Sequence, residues 1–204
     1  MKVAVLVSGS GSNLQALLDA IAAGRLPVQI SLVLADRPGI RALERAQRAG
    51  VPTEVLRPRA FAQRADFDAA LAAACAASGA ELVVLAGFMR VLGPRFVDAW
   101  EGRCLNVHPA LLPAFPGIDA PRQALEYGVR ITGCTVHLVD RGTDTGPIVL
   151  QQAVPVLPGD DPASLHARIQ REEWRLLPEA VRLYALGRLR VRGRRVEIVG
   201  EEND

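Results

Sequence analysis

Asn106-Val107-His108-Pro109 puts an amide and an imidazole two residues apart at the end of an apolar run. Alternate side chains of a strand share one face, so the two would point the same way. An amide there can polarise a carbonyl and hold its developing oxyanion, while the imidazole moves protons. Together they suit acyl transfer. A histidine at a strand end is often structural. The Asn partner and the following loop, Ala110 to Gly117, favour chemistry. Farther on, Asp140-Arg141-Gly142-Thr143-Asp144-Thr145-Gly146 forms a polar turn with two carboxylates. A carboxylate brought near His108 would orient its ring and favour the protonated form.

A second constellation is Ser8-Gly9-Ser10-Gly11-Ser12-Asn13, between the apolar run Val3 to Val7 and the helical spacing of Leu14, Leu17, Leu18 and Ile21. Gly9 and Gly11 allow close backbone approach and positive φ. Ser12 or Asn13 would cap the helix. A helix start with open N–H groups binds phosphate. No Gly-Lys-Ser/Thr follows, and Leu14 stands where a dinucleotide fingerprint needs its third glycine. One compact phosphate fits better than a diphosphate. Asp36, after the second apolar run, could mimic a ribose-binding acid. The plain alternative is a tight turn with a helix cap.

On the longest helical segment, Leu165, Ile169, Leu176, Ala180 and Tyr184 form an apolar stripe. Glu173 falls inside it and Gln170 at its edge. An inward acid needs a partner, either an arginine or a ligand amine or hydroxyl. His137 reads as a packed strand residue and His166 as a solvated helix position. No His, Cys, Asp or Glu spacing argues for a metal. Cys75, Cys104 and Cys134 read as small buried residues in a reducing compartment.

The elements that must position these groups alternate. Strands are expected at 2–7, 28–35, 53–56, 81–86, 103–108, 131–139 and 148–156. Helices are expected at 13–23, 40–49, 66–78, 94–99, 120–127 and 162–186. Short continuous apolar runs between helices indicate parallel strands covered on both faces. The class is α/β, a doubly wound, mostly parallel sheet with helices on both faces. Residues 131–156 add a hairpin or mixed extension, and a last strand pair is expected near 189–191 and 195–199. The chain of 204 residues reads as one domain. Within it, 1–108 form a phosphate-loop half, 109–187 a second half and 188–204 a short tail. A net charge of +2 is too mild to argue for nucleic acid. No apolar run approaches the roughly 20 residues of a membrane span. The expected location is cytoplasmic, with no leader segment.

Four ordered motifs then carry a resemblance. They are Ser8 to Leu14, Leu85 to Arg90, Asn106 to Pro109 with Leu111-Leu112-Pro113, and Gly133 to His137 with Asp140 to Pro147. Together they closely resemble the phosphoribosylglycinamide formyltransferases, from residue 1 to about 187. The resemblance implies transfer of a formyl group from 10-formyltetrahydrofolate to the amine of glycinamide ribonucleotide. It implies that Gly11, Ser12 and Asn13 hold the substrate phosphate, with Gln170 and Glu173 on its ribose-phosphate side. Arg64, the segment Met89, Arg90, Val91 and Leu92, and the loop Asp140, Arg141, Gly142, Thr143 and Asp144 would contact the folate. Asn106, also a folate contact, His108 and Asp144 would be the catalytic set. The implied partners are small molecules, without nucleic acid or membrane. The implied assembly is a monomer or homodimer, and no metal or covalent enzyme intermediate is implied.

The chain departs from the family pattern at Ala114, Asp119 and Pro121, in a loop beside the site, which bears on loop closure. Rival readings are a formyltetrahydrofolate hydrolase, a methionyl-tRNA formyltransferase, an NAD-binding module and a serine hydrolase. The last lacks a G-x-S-x-G elbow.

Overall fold

The computed structural model describes residues 1–200. The chain forms two compact units, dividing between Asn106 and Val107. The first unit contains β1 (Lys2–Val7), α1 (Ser12–Ala22), β2 (Gln29–Ala35), α2 (Arg41–Arg48), β3 (Thr53–Val55), α3 (Arg64–Ala77), β4 (Leu82–Leu85) and α4 (Pro94–Ala99). A short 3-10 turn, Pro58–Ala60, follows β3. Strand β5 (Cys104–His108) begins in this unit and ends in the next.

All strand pairs of the first unit are parallel, in the order β3-β2-β1-β4-β5. Val3 to Val7 and Leu82 to Leu85 are buried without interruption, because helices cover both faces of a parallel sheet. The order reverses between β1 and β4. The carboxyl ends there open the crevice where ligands of such sheets bind. The glycine-rich loop follows β1, and the irregular segment 86–93 follows β4.

In the second unit, β6 (Ile131–Leu138) and β7 (Ile148–Pro155) pair antiparallel, with an irregularity at Val136/His137. Helices α5 (Ala120–Tyr127) and α6 (Pro162–Ala185) close its core, built on Ala124, Cys134, Val154, Leu165 and Ile169. The start of α6 is fixed by a reciprocal capping box. Asp161 accepts from the Ser164 N–H at 2.7 Å, and the Asp161 N–H donates to Ser164 at 3.0 Å. A hairpin of β8 (Leu189–Arg192) and β9 (Arg195–Ile198) ends the described chain. The last four residues of the expected tail lie outside the described residues.

The expected α/β class holds, and every expected element is present within about two residues at its ends, the usual uncertainty of helix boundaries. Three details differ. The N-cap of α1 is Gly11 at φ 72°, with no side-chain cap from Ser12 or Asn13. Of the two glycines, only Gly11 needs its lack of a side chain. A Cβ there would lie 2.7 Å from Cα and Cβ of Ala42, whereas one on Gly9 would meet nothing within 4 Å. The buried line of α6 passes through Leu177 rather than Leu176, while Glu173 lies within it as expected.

Gly11→Ala is expected to cost about 1–3 kcal/mol of stability, the usual penalty of overpacking. The measure is the urea midpoint, with Gly9→Ala as the near-neutral control. An unchanged midpoint for Gly11→Ala would contradict this close packing.

Among the described residues no helix is long and apolar enough to cross a membrane. The same residues contain no group of three or more His, Cys, Asp or Glu that could hold a metal. The three cysteines are buried and free, as expected. Burial pushes the Cys75 thiol up to about 12, helped by Glu54.

Candidate active site

His108, at the end of β5, is 4% exposed. Its ring is held from two sides within the second unit. Nε2 lies 2.8 Å from the Phe115 carbonyl oxygen, and Nδ1 lies 3.4 Å from Oδ2 of Asp144. Oδ2 also accepts the Gly117 N–H at 2.7 Å. The other carboxylate oxygen, Oδ1, lies 3.6 Å from Nε2 of His137, whose Nδ1 is 2.9 Å from the Leu138 carbonyl. One carboxylate thus faces two imidazoles and ties down the loop 115–117.

The turn that delivers Asp144 is closely packed. Asp140 accepts from the Gly142 N–H at 3.0 Å and the Thr145 hydroxyl at 2.6 Å. A Cβ on Gly146 would fall 1.8 Å from the Leu138 carbonyl oxygen, so only glycine lets the turn lie against the end of β6. Asp144 itself adopts φ 54°, a left-handed conformation that favours glycine, Asn or Asp. Arg141, Gly142 and Thr143 are exposed at the tip.

The electrostatics correct one expectation. Burial lowers the His108 pKa, and it outweighs the upward pull of Asp144 and of the Phe115 carbonyl; His137 adds to the lowering. The resting ring is therefore neutral near pH 7, and the desolvation of a buried cation is the reason. For Asp144, burial pushes upward, but His137, the Gly117 N–H and His108 together bring its pKa below 3.8. Asp144 is thus an anion at neutral pH. His137 is a packed strand residue, as expected, and also a second partner of Asp144. Only the turn's return to β6 reveals that role. His166 is exposed, as expected.

In the first unit, the phosphate-loop candidates stand at the start of α1. The loop's own carbonyls are taken up elsewhere. Gly9 accepts from the Ala42 N–H at 3.2 Å, Ser10 from Arg45 at 3.0 Å and Gly11 from the Gln15 N–H at 2.9 Å. Arg45 brings a cation to this loop that the sequence did not single out, because it comes from the neighbouring helix. The positive end of α1 and this guanidinium both suit an anion.

The segment after β4 lies beside the same loop. Ser8 donates its N–H to the Gly87 carbonyl at 3.2 Å, and its hydroxyl accepts from the Met89 N–H at 2.9 Å. A cavity of about 440 Å³ is lined by Pro58, Arg64, Phe67, Met89, Arg90 and Val91. Met89 is 69% exposed, whereas Leu92 is buried and points away from solvent. Asp36 is not an open ribose-binding acid. It is 2% exposed and bonded to Arg90 at 2.8 Å and Arg37 at 3.1 Å. Burial raises its pKa, but Arg37, Arg90 and Ser8 more than reverse that.

Gln170 and Glu173 follow one another on α6 of the second unit. Glu173 is 4% exposed. Its charge lies close enough to β6 to help burial push the Cys134 thiol up to about 12. Asn106 is half-buried on β5, two residues before His108.

Comparison with known proteins places a chain with these features in a family. The sequence pattern described as formyl transferase matches residues 1–181, and the chain belongs to that family. It is 51% identical over 203 residues to phosphoribosylglycinamide formyltransferase of Mycobacterium tuberculosis, covering 97% of this chain and 94% of that protein. The crystal structure of glycinamide ribonucleotide transformylase 1 from Symbiobacterium toebii is 52% identical, with a TM-score of 0.97 over 98% of this chain and 94% of that one. The human trifunctional purine biosynthetic protein adenosine-3 is 45% identical over 91% of this chain, which spans only 18% of that protein's length. The corresponding share is 14% for the Drosophila melanogaster relative.

Proposed function

We propose that the chain is a phosphoribosylglycinamide formyltransferase, moving the formyl group of 10-formyltetrahydrofolate to the amine of glycinamide ribonucleotide. It is read as one formyltransferase domain catalysing a cytoplasmic reaction between two small molecules. The observation that carries this reading is His108, on the strand that bears Asn106, paired with Asp144 from the turn after β6. Gly11, Ser12 and Asn13 bind the phosphate, and Gln170 and Glu173 meet the ribonucleotide. Arg64, Met89, Arg90, Val91, Leu92, Asn106, Asp140, Arg141, Gly142, Thr143 and Asp144 bind the folate.

The substrate amine attacks the formyl carbon and forms a tetrahedral intermediate. The bond from that carbon to the folate nitrogen then breaks, and one proton passes from the amine to that nitrogen. Asn106 donates to the oxyanion. His108 Nε2, which faces the Phe115 carbonyl oxygen at 2.8 Å in the free protein, turns to the reacting centre. There it takes the proton that the attacking amine gives up, Asp144 on the Nδ1 side stabilises the imidazolium so formed, and the same proton passes on to the folate nitrogen as its bond to carbon breaks.

Asn106→Ala is expected to lower kcat by about 10²–10³, the loss typical of one oxyanion donor. Near-full turnover would remove Asn106 from this role. Mass spectrometry of the two mixed substrates tests the reaction itself. The expected product is formylated ribonucleotide, and free formate alone would favour the hydrolase.

A further inference from the structure

Asp68 on α3 is 2% exposed. It lies next to Phe67 and one turn after Arg64, both of which line the cavity of the first unit. Its Oδ2 accepts the Gly93 N–H at 3.1 Å. Arg64 stands 3.9 Å from that oxygen and donates its other arm to the Val91 carbonyl. One helix turn therefore grips an N–H and a C=O of the same irregular segment. Ser8 also holds that segment at Met89, and Asp36 holds it at Arg90. The fit at Gly93 is close, since a Cβ there would fall 2.3 Å from Oδ2 of Asp68. Gly93 has φ −86°, which any residue adopts, so contact with Asp68 is what excludes a side chain.

The arrangement is costly. Oδ1 of Asp68 is buried without a hydrogen-bond partner. Burial raises the carboxyl's pKa, against Arg64 and the Gly93 N–H. An acid held at such cost beside a ligand cavity suggests a task other than stability.

We propose that Asp68 is a positioning residue for the folate cosubstrate, fixing the segment Met89 to Gly93 through the Gly93 N–H and the Arg64 guanidinium. This rests on the formyl-transfer reading and deepens it. Asp68 touches no reacting atom. Its effect belongs to the cosubstrate KM, not to kcat or the ribonucleotide KM.

The test is steady-state kinetics with both substrates varied, plus direct folate-analogue binding by fluorescence. Asp68→Ala is expected to raise the cosubstrate KM about tenfold or more, as small misplacements do. Its kcat and ribonucleotide KM are expected to stay within about twofold. Asp68→Asn keeps an acceptor for Gly93 but loses the charge facing Arg64, so it falls in between and serves if the alanine variant folds poorly. Gly93→Ala is expected to reproduce the shift in the wild type and to add nothing in an Asp68→Ala background, where its obstacle is gone. An unchanged cosubstrate KM in folded Asp68 and Gly93 variants would overturn the proposal alone. So would an equal loss for both substrates. A wild type that binds no folate would overturn the formyl-transfer reading and the proposal with it.

Discussion

His108→Ala is expected to lower turnover by about 10²–10⁴, the range for a lost general acid–base group. Both substrates should still bind. The ring is buried, so its removal empties space beside Asp144 and the Phe115 carbonyl. The carboxylate does not become an orphan, because it keeps the Gly117 N–H at 2.7 Å and His137 at 3.6 Å. The turn 140–146 also has its own bonds from Asp140. The variant should therefore fold, and its loss should fall on kcat. Saturating-substrate kinetics with a parallel folate-binding titration measure this. A variant with near-full turnover would show that the imidazole is structural.

Asp144→Asn should also cost about 10²–10⁴ in turnover, because the imidazolium formed during reaction loses its counter-charge. Its pH signature is more particular. Burial already holds the His108 pKa below 6.5, and Asp144 is the main group pulling it back up. Without that charge the pKa falls further, so the acid limb of kcat/KM moves to lower pH. The stability signs follow by linkage. The depressed His108 makes the protein lose stability as pH falls through 6.5, since the unfolded chain takes the proton first. The depressed Asp144 contributes stability that is present above 3.8 and lost as pH falls through its lower folded value. The Asn variant removes the second contribution. An acid limb that stays in place would contradict direct coupling of Asp144 to His108.

Much of this arrangement was legible in the chain because it is local. The uninterrupted runs Val3 to Val7 and Leu82 to Leu85 announce buried parallel strands. The spacing of Asn106 and His108 announces a shared face, and Glu173 stands on the buried line of α6. What stayed hidden depends on partners distant in sequence. Asp36 looked like a ribose acid until Arg90 reached it across 54 positions. The cap of α1 looked like the work of Ser12 or Asn13, yet it is Gly11 at φ 72°, where the nearness of Ala42 leaves no room for a side chain. His108 looked protonated because a carboxylate was expected beside it. The carboxylate is there, but desolvation is larger. Asp68 carried no motif, and only its contact with Gly93 gives it meaning.

The central claim is transfer to the ribonucleotide amine. It is tested most directly by following cosubstrate deformylation by absorbance, with and without glycinamide ribonucleotide. The account predicts turnover only when the ribonucleotide is present. Deformylation at the same rate without it would contradict the account and identify water as the acceptor.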